Sequence, residues 1–114
     1  MPLGADISAG LYRLKDAATI TIASGVLVVT QTRITVNGEG AANDNLDTID
    51  IDPTLVLPSG YGEMLVLQAA PGLTITIRDA QDNIRTNSGN NFAFTDIMLA
   101  LLFPTAAGWV CVNG

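Results

Sequence analysis

Hydrophobic and polar residues alternate along most of the chain, in short segments that end at turn-forming residues. Residues 19–22 carry isoleucine at every second position, and residues 73–78 repeat the pattern. Alternation with a period of two is typical of a strand with one buried face. The other short segments with this character or with a continuous apolar run are residues 26–30, 33–36, 46–52, 54–57, 63–68, 84–85 and 92–94.

Turn signals separate these segments. Asn37-Gly38 favours a tight turn with positive φ, and the small polar residues 39–45 predict a flexible loop. Near the C-terminus, residues 97–103 and 108–112 predict a final hairpin. Two regions also admit a helix, residues 7–15 and residues 95–102. We predict a strand for the second region, because turn-like residues bound a short run and a strand-like segment follows closely.

Short strands separated by turns about every 8 to 12 residues indicate an all-β fold. We predict an antiparallel β-sandwich or a jelly-roll-like small barrel of roughly nine to eleven short strands. Residues 17–114 would form this single domain, and residues 1–16 would form an N-terminal arm or docking segment. A chain of 114 residues is long enough to bury a hydrophobic core of this kind.

The chain is poor in charge, which favours a surface that is covered in an assembly. Charged residues make up 14% of the sequence, against about 25% in a typical soluble domain. Lys15 is the only lysine, and lysine and glutamate are the residues most depleted from buried interfaces. The alternative is a monomer that is solvated by its many Asn, Thr, Ser and Gln residues.

The net charge of −6 argues against nucleic acid and anionic membranes as partners. Binding to phosphates requires clustered Lys and Arg, and the five basic residues are spread along the sequence. The longest apolar run, residues 97–103, is far shorter than the roughly 20 residues of a membrane-spanning helix. The first residues lack the basic start and apolar stretch of a signal peptide.

No catalytic residue emerges from the sequence, and we expect no enzymatic activity. The chain contains no histidine, the usual base that activates a nucleophile. Cys111 is the only cysteine and lies in a strand-like segment, which favours a core thiol. Asp50 and Asp52 would share one face of a strand at a spacing that suits paired carboxylates, but a solvated strand face explains them better.

We expect no cofactor and no zinc, and calcium is the alternative near Asp44, Asp47 and Asp50. Oxygen ligands suit this hard cation, and they are concentrated in a glycine-containing segment with the residues Glu39, Asn43, Asp44, Asn45, Asp47, Asp50 and Asp52. Their spacing matches neither an EF-hand loop nor a glycine-rich calcium repeat.

Three stretches of the chain carry an ordered set of motifs. Residues 19–49 contain Val36-Asn37-Gly38-Glu39-Gly40 and then Asp44-Asn45-Leu46-Asp47-Thr48-Ile49. Residues 62–84 contain Gly62-Glu63-Met64-Leu65-Val66-Leu67-Gln68, and residues 92–110 end in a strand and Gly108-Trp109. This order resembles small β-rich structural modules of tailed-bacteriophage virions, which occur as capsid decoration (cement) proteins and as tail-fibre domains. The chain departs from that pattern at residues 104–108, which replace an Asp-Gly turn before the tryptophan.

The resemblance implies a homotrimeric virion structural protein without enzymatic activity. The expected function is that of a capsid decoration protein, which stabilises the head by bridging coat subunits and has the major capsid protein as its partner. It would be made in the host cytoplasm and reside on the capsid surface. The alternative is a tail-fibre or tail-tip module that contacts the host surface. In the decoration protein the N-terminal arm would dock on neighbours through Leu3, Ile7, Leu11 and Tyr12, and the alternative for this segment is a disordered or merely packed terminus.

Overall fold

The computed structural model describes residues 17–40, 42–52 and 64–114, which form eleven β-strands and no helix. The all-β class and the predicted number of strands are therefore confirmed. The strands are β1 (Ala18–Thr21), β2 (Val26–Val29), β3 (Arg33–Asn37), β4 (Asn43–Leu46), β5 (Thr48–Ile51), β6 (Leu65–Ala69), β7 (Thr74–Ile77), β8 (Ile84–Thr86), β9 (Phe92–Phe94), β10 (Ala100–Thr105) and β11 (Gly108–Cys111).

The strands form three sheets that are layered around one core. The large sheet has the order β1-β3-β6-β10-β11-β8, the three-stranded sheet has the order β4-β7-β9, and the two-stranded sheet pairs β2 with β5. Successive passes of the chain lie beside one another in the same direction, so that β1, β3 and β6 are parallel neighbours in the large sheet. The pairs β2–β5, β4–β7 and β8–β11 are also parallel.

The sheets are mixed rather than purely antiparallel, which corrects one part of the sequence prediction. Only the pairs β6–β10, β10–β11 and β7–β9 are antiparallel among the described strands. The difference has a simple physical reason. Alternation reports that one face of a strand is buried, and this is equally true of a strand with parallel or antiparallel neighbours. The predicted final hairpin is present as β10–β11.

The inner faces of the three sheets supply a continuous hydrophobic core. In β3, for example, Ile34 and Val36 are completely buried, and their neighbours Arg33, Thr35 and Asn37 are only partly covered. Full burial of such a side chain contributes about 1.5–3 kcal/mol. The core consists of Ile22, Leu27, Val29, Ile34, Val36, Leu46, Ile49, Leu65, Leu67, Ala69, Ile75, Ile77, Ile84, Phe94, Ala100, Leu102, Trp109 and Cys111.

A tight turn joins β1 to β2, as the sequence predicts. Ser24 and Gly25 both have positive φ values, 51° and 78°, as a type I′ turn requires. Ala23 and Val26 exchange two backbone hydrogen bonds of 3.0 Å across the turn. The carbonyl oxygen of Gly25 also accepts hydrogen bonds from the backbone N–H groups of Asp47 and Thr48, which ties the turn to the start of β5.

The predicted loop over residues 39–45 is wrong in its second half, because Asn43–Leu46 is β4. Its polar residues have low strand propensity, but pairing with β7 supplies the ladder that holds them extended. The carboxylate of Asp44 accepts hydrogen bonds of 2.8 Å from the backbone N–H groups of Glu39 and Asn45. Tertiary pairing therefore decides the structure of this segment.

Three predictions lie outside the described residues. They are the strand at residues 54–57, the helical alternative for residues 7–15, and the N-terminal arm of residues 1–16. The division of the chain into an arm and one β domain stays a prediction.

Candidate functional site

The turn after β9 presents three apolar side chains to solvent. Ile97 is 91% exposed, Met98 54% and Leu99 37%. We call these three residues the apolar tip. Exposed aliphatic side chains occur singly on most proteins, but three in succession form a continuous apolar surface.

Thr95 holds the apolar tip in one conformation. Its hydroxyl Oγ1 accepts hydrogen bonds from the backbone N–H groups of Ile97 (3.3 Å) and Met98 (3.2 Å), and its own N–H donates to the carbonyl oxygen of Met98 (3.1 Å). Side-chain hydrogen bonds of this kind compete with strand pairing. The strand that the sequence predicts from residue 97 therefore begins only at Ala100, and the helical alternative is wrong.

The outer face of the large sheet is also apolar at its centre. Leu101 and Phe103 point away from the core, since their neighbours Ala100 and Leu102 are fully buried and strand residues alternate between faces. Val66 pairs with Leu101, and Val110 pairs with Phe103. We call Val66, Leu101, Phe103, Val110 and Val112 the apolar strip.

The apolar strip is partly open to solvent and adjoins the apolar tip along β10. Phe103 is 44% exposed and Val112 39%, whereas Val66 is only 7% exposed. The N–H of Val112 donates to the carbonyl oxygen of Leu101 (2.9 Å). A sheet face that meets water normally carries polar residues. Together, the strip and the tip expose five large apolar side chains, Ile97, Met98, Leu99, Phe103 and Val112, and clustered exposed apolar residues mark interaction sites.

Two arginines flank the apolar strip, and the strands of the large sheet contain no acidic residue. Arg33 on β3 pairs in register with Val66, and Arg85 on β8 pairs with Val110. Four strand spacings separate β3 from β8, which puts the two arginine backbones about 19 Å apart. The described carboxylates all belong to other segments: Glu39, Asp44, Asp47, Asp50, Asp52, Asp79, Asp82 and Asp96.

The outer face of the two-stranded sheet has the opposite electrostatic character. Val28 is 42% exposed and pairs in register with the exposed Asp50. The hydroxyl of Thr48 donates a 2.6 Å hydrogen bond to Oδ2 of Asp82. We call Val28, Thr48, Asp50 and Asp82 the acidic face. The acidic face therefore combines the exposed Val28 with carboxylates, and it belongs to a different sheet from the apolar strip.

The carboxylates considered for calcium have separate partners in the structure. Asp47 accepts two hydrogen bonds from the Arg78 guanidinium, one from Nε at 2.6 Å and one from Nη2. These bonds raise the pKa of Arg78 above its ordinary value. Asp44 accepts backbone N–H groups instead, and Asp50 lies on the acidic face. Within residues 17–40, 42–52 and 64–114, no three His, Cys, Asp or Glu residues are grouped so as to hold a metal ion.

The chemistry of Cys111 agrees with its interpretation as a core thiol. Its side chain is fully buried, and its Sγ lies 3.5 Å from Oδ1 of Asn113. Burial raises the pKa of the Cys111 thiol, since desolvation disfavours the thiolate.

The two carboxylates that the sequence offers as a catalytic pair are both near the end of β5. Asp50 lies within the strand, and Asp52 follows directly after it.

The predicted interface residues Leu3, Ile7, Leu11 and Tyr12 lie outside the described part of the chain. Sequence reasoning did not identify the apolar tip or the apolar strip as surfaces. A signal was nevertheless present, since residues 97–103 are the longest apolar run of the sequence. A strand with such a run is apolar on both faces, and only one of them faces the core.

No family model matches the chain, and no curated protein or solved structure is significantly similar to it. The described residues contain no helix with the length and hydropathy needed to cross a membrane.

Proposed function

We propose that the chain is a non-enzymatic structural protein of a tailed-bacteriophage virion, a capsid decoration protein that stabilises the head by bridging coat subunits. The observation that carries this proposal is the apolar tip, in which Thr95 fixes Ile97 and Met98 in a solvent-facing turn. A preorganised apolar projection loses little conformational entropy when it enters a groove on a partner. The order of motifs that resembles phage virion modules supplies the identity of that partner, the major capsid protein.

The mechanism is burial of apolar surface without chemistry. An isoleucine that passes from nearly full exposure to full burial contributes about 1.5–3 kcal/mol. This free energy is modest for a single copy, because association costs translational and rotational freedom. Several tips in one homotrimer would bind as a unit, and the second and third contacts would then form at high effective concentration.

A tail-fibre or tail-tip module is the second candidate, and the position of β1 favours it. Among the described strands, β1 is at the edge of the large sheet, and it is parallel to β3. A further parallel strand can add to such an edge. A strand from a neighbouring module of a fibre could therefore extend the large sheet beyond β1. In this function the apolar tip would contact the host surface.

Fractionation of purified virions tests the proposal and separates its two forms. Heads and tails are isolated from particles of the phage that encodes the chain, and the chain is quantified by mass spectrometry against the major capsid protein. A decoration protein is expected in the head fraction in hundreds of copies. A few copies in the tail fraction would support the fibre module, and absence from both fractions would refute a role in the virion.

The Ile97→Asp variant tests the apolar tip itself. The side chain is 91% exposed, so folding is expected to be unchanged, while a carboxylate in an apolar groove should lower affinity for undecorated heads by about a hundredfold. The measurement is co-sedimentation with heads that lack the chain. Asn90→Asp adds the same charge at another exposed position and should bind like the wild type. Equal binding of Ile97→Asp and wild type would eliminate the tip as the contact.

A further inference from the structure

Charge on this protein is segregated between faces. The chain has a net charge of −6, yet the strands of the large sheet carry Arg33 and Arg85 and no carboxylate. These arginines stand on opposite sides of the apolar strip, in register with Val66 and Val110. A partner for this surface needs an apolar centre with carboxylates beside it.

Two copies of the large sheet cannot satisfy this requirement face to face. In such a two-fold contact the same surface is used by both copies. The arginines of each copy would then approach a surface whose strands offer apolar side chains, uncharged polar side chains such as Thr35 and Gln68, and the other copy's arginines. Juxtaposed like charges cost several kcal/mol, and the strands of this sheet provide no carboxylate that would neutralise them.

The acidic face supplies the complementary surface on the same chain. Its exposed Val28 lies beside the exposed Asp50, and Asp82 is held next to them by Thr48. We propose that the apolar strip of one copy packs against the acidic face of a second copy, in a head-to-tail contact. Val28 then packs against the open part of the strip at Phe103. Asp50 and Asp82, which both lie on the β5 side of Val28, approach Arg85, two strands away from Phe103.

A head-to-tail contact leaves one strip and one acidic face free at the ends of every open assembly. Such contacts close into a ring when the rotation between copies permits it, and otherwise grow into a filament. The apolar tip precedes β10, and the proposed contact at Phe103 does not include it. The proposal therefore deepens the self-association in the proposed function and leaves the tip for the other partner.

Complementary variants test the contact directly. Phe103→Asp places a carboxylate in the apolar strip opposite the acidic face, and Val28→Arg places a cation on the acidic face opposite the arginines. Each change is at an exposed position and should raise the dissociation constant of self-association by about a hundredfold. Ala93→Asp and Asn45→Arg, at exposed positions of the three-stranded sheet, are the charge-matched controls and should assemble like the wild type.

Mixing the two variants gives the decisive result, measured by sedimentation equilibrium. Phe103→Asp keeps an intact acidic face, and Val28→Arg keeps an intact strip, so one good contact remains between them. The mixture is expected to associate, because the altered strip and the altered acidic face carry opposite charges, whereas each variant alone remains at the 11.9 kDa of one chain. A mixture that stays monomeric, or a wild type that never associates, would overturn the proposal.

The outcome is separable from that of the proposed function. A monomer that is nevertheless abundant on phage heads would refute the head-to-tail contact and leave decoration intact. If the two variants associate when mixed but the chain is absent from virions, the virion role is refuted and the contact stays intact.

Discussion

Asn83 extends the two-stranded sheet with its side chain at the edge of β5, next to which the described residues place no further strand. Its Oδ1 accepts a hydrogen bond from the N–H of Ile49 (2.9 Å), and its Nδ2 donates to the carbonyl oxygen of the same residue (2.8 Å). The backbone carbonyl of Asn83 also accepts from the N–H of Trp109 (2.7 Å). Asn83 therefore provides hydrogen-bond partners for both backbone groups of Ile49 at the edge of β5, and it also links β5 to β11.

We predict that Asn83→Ala destabilises the fold by about 2 kcal/mol, because two backbone groups of Ile49 lose their partners in a partly buried position. Urea denaturation followed by circular dichroism measures the change. Asn87→Ala, at an exposed position, should remain within about 0.5 kcal/mol of the wild type. Equal stability of the two variants would show that water replaces the Asn83 amide without cost.

The thiol of Cys111 should be inert in the folded protein. Full burial blocks access to it, and its raised pKa reduces the thiolate fraction at neutral pH. We predict no reaction with an aromatic disulfide reagent under native conditions and one equivalent of reaction in denaturant. Rapid reaction of the native protein would contradict the burial of this side chain.

At the scale of elements, the β10–β11 hairpin depends on a glycine. Gly108 has a φ of 129°, and a Cβ at this position would lie 2.3 Å from the backbone oxygen of Asn83. Since that oxygen belongs to the backbone and also accepts a hydrogen bond from Trp109, it has little freedom to move away. The turn and the contact between β8 and β11 therefore exclude every other residue type.

Gly108→Ala should destabilise the protein by more than about 3 kcal/mol or prevent folding, because backbone strain and a steric clash combine. Gly72→Ala is the matched control, since Gly72 also has a positive φ (81°) but has nothing within 4 Å of its Cβ position. The control should cost only about 1 kcal/mol. Thermal unfolding of the two variants compares them, and similar midpoints would contradict the clash.

The sequence predicts most strands, because alternation records which side chains are buried. It does not record pairing direction, so the parallel neighbours of β3 could not be predicted. It also failed at Asn43–Leu46, where polar residues become β4 through pairing with β7. This pairing is between segments far apart in the sequence, and no local pattern announces it.

The candidate surfaces were predictable only in part. The apolar run at residues 97–103 is visible in the sequence, but its division into a tip and a strand depends on the hydroxyl of Thr95. The flanking arginines, Arg33 and Arg85, are distant in the sequence and appear merely scattered there. They become a pair on one face only through the strand order of the large sheet.

At the scale of the whole molecule, low charge and exposed apolar surface agree. Only 14% of the residues are charged, and the apolar tip and apolar strip add a contiguous surface that water solvates poorly. Both features are what the proposed self-association requires, because apolar surface that a second copy covers is removed from water.

Light scattering coupled to size exclusion tests this self-association most directly. The full chain is measured from about 1 to 100 μM, a range that covers the dissociation constants of weak and moderate assemblies. We predict a mass that rises with concentration to a fixed multiple of 11.9 kDa. A constant mass of 11.9 kDa over the whole range would contradict the claim that copies of this chain cover one another's apolar surface.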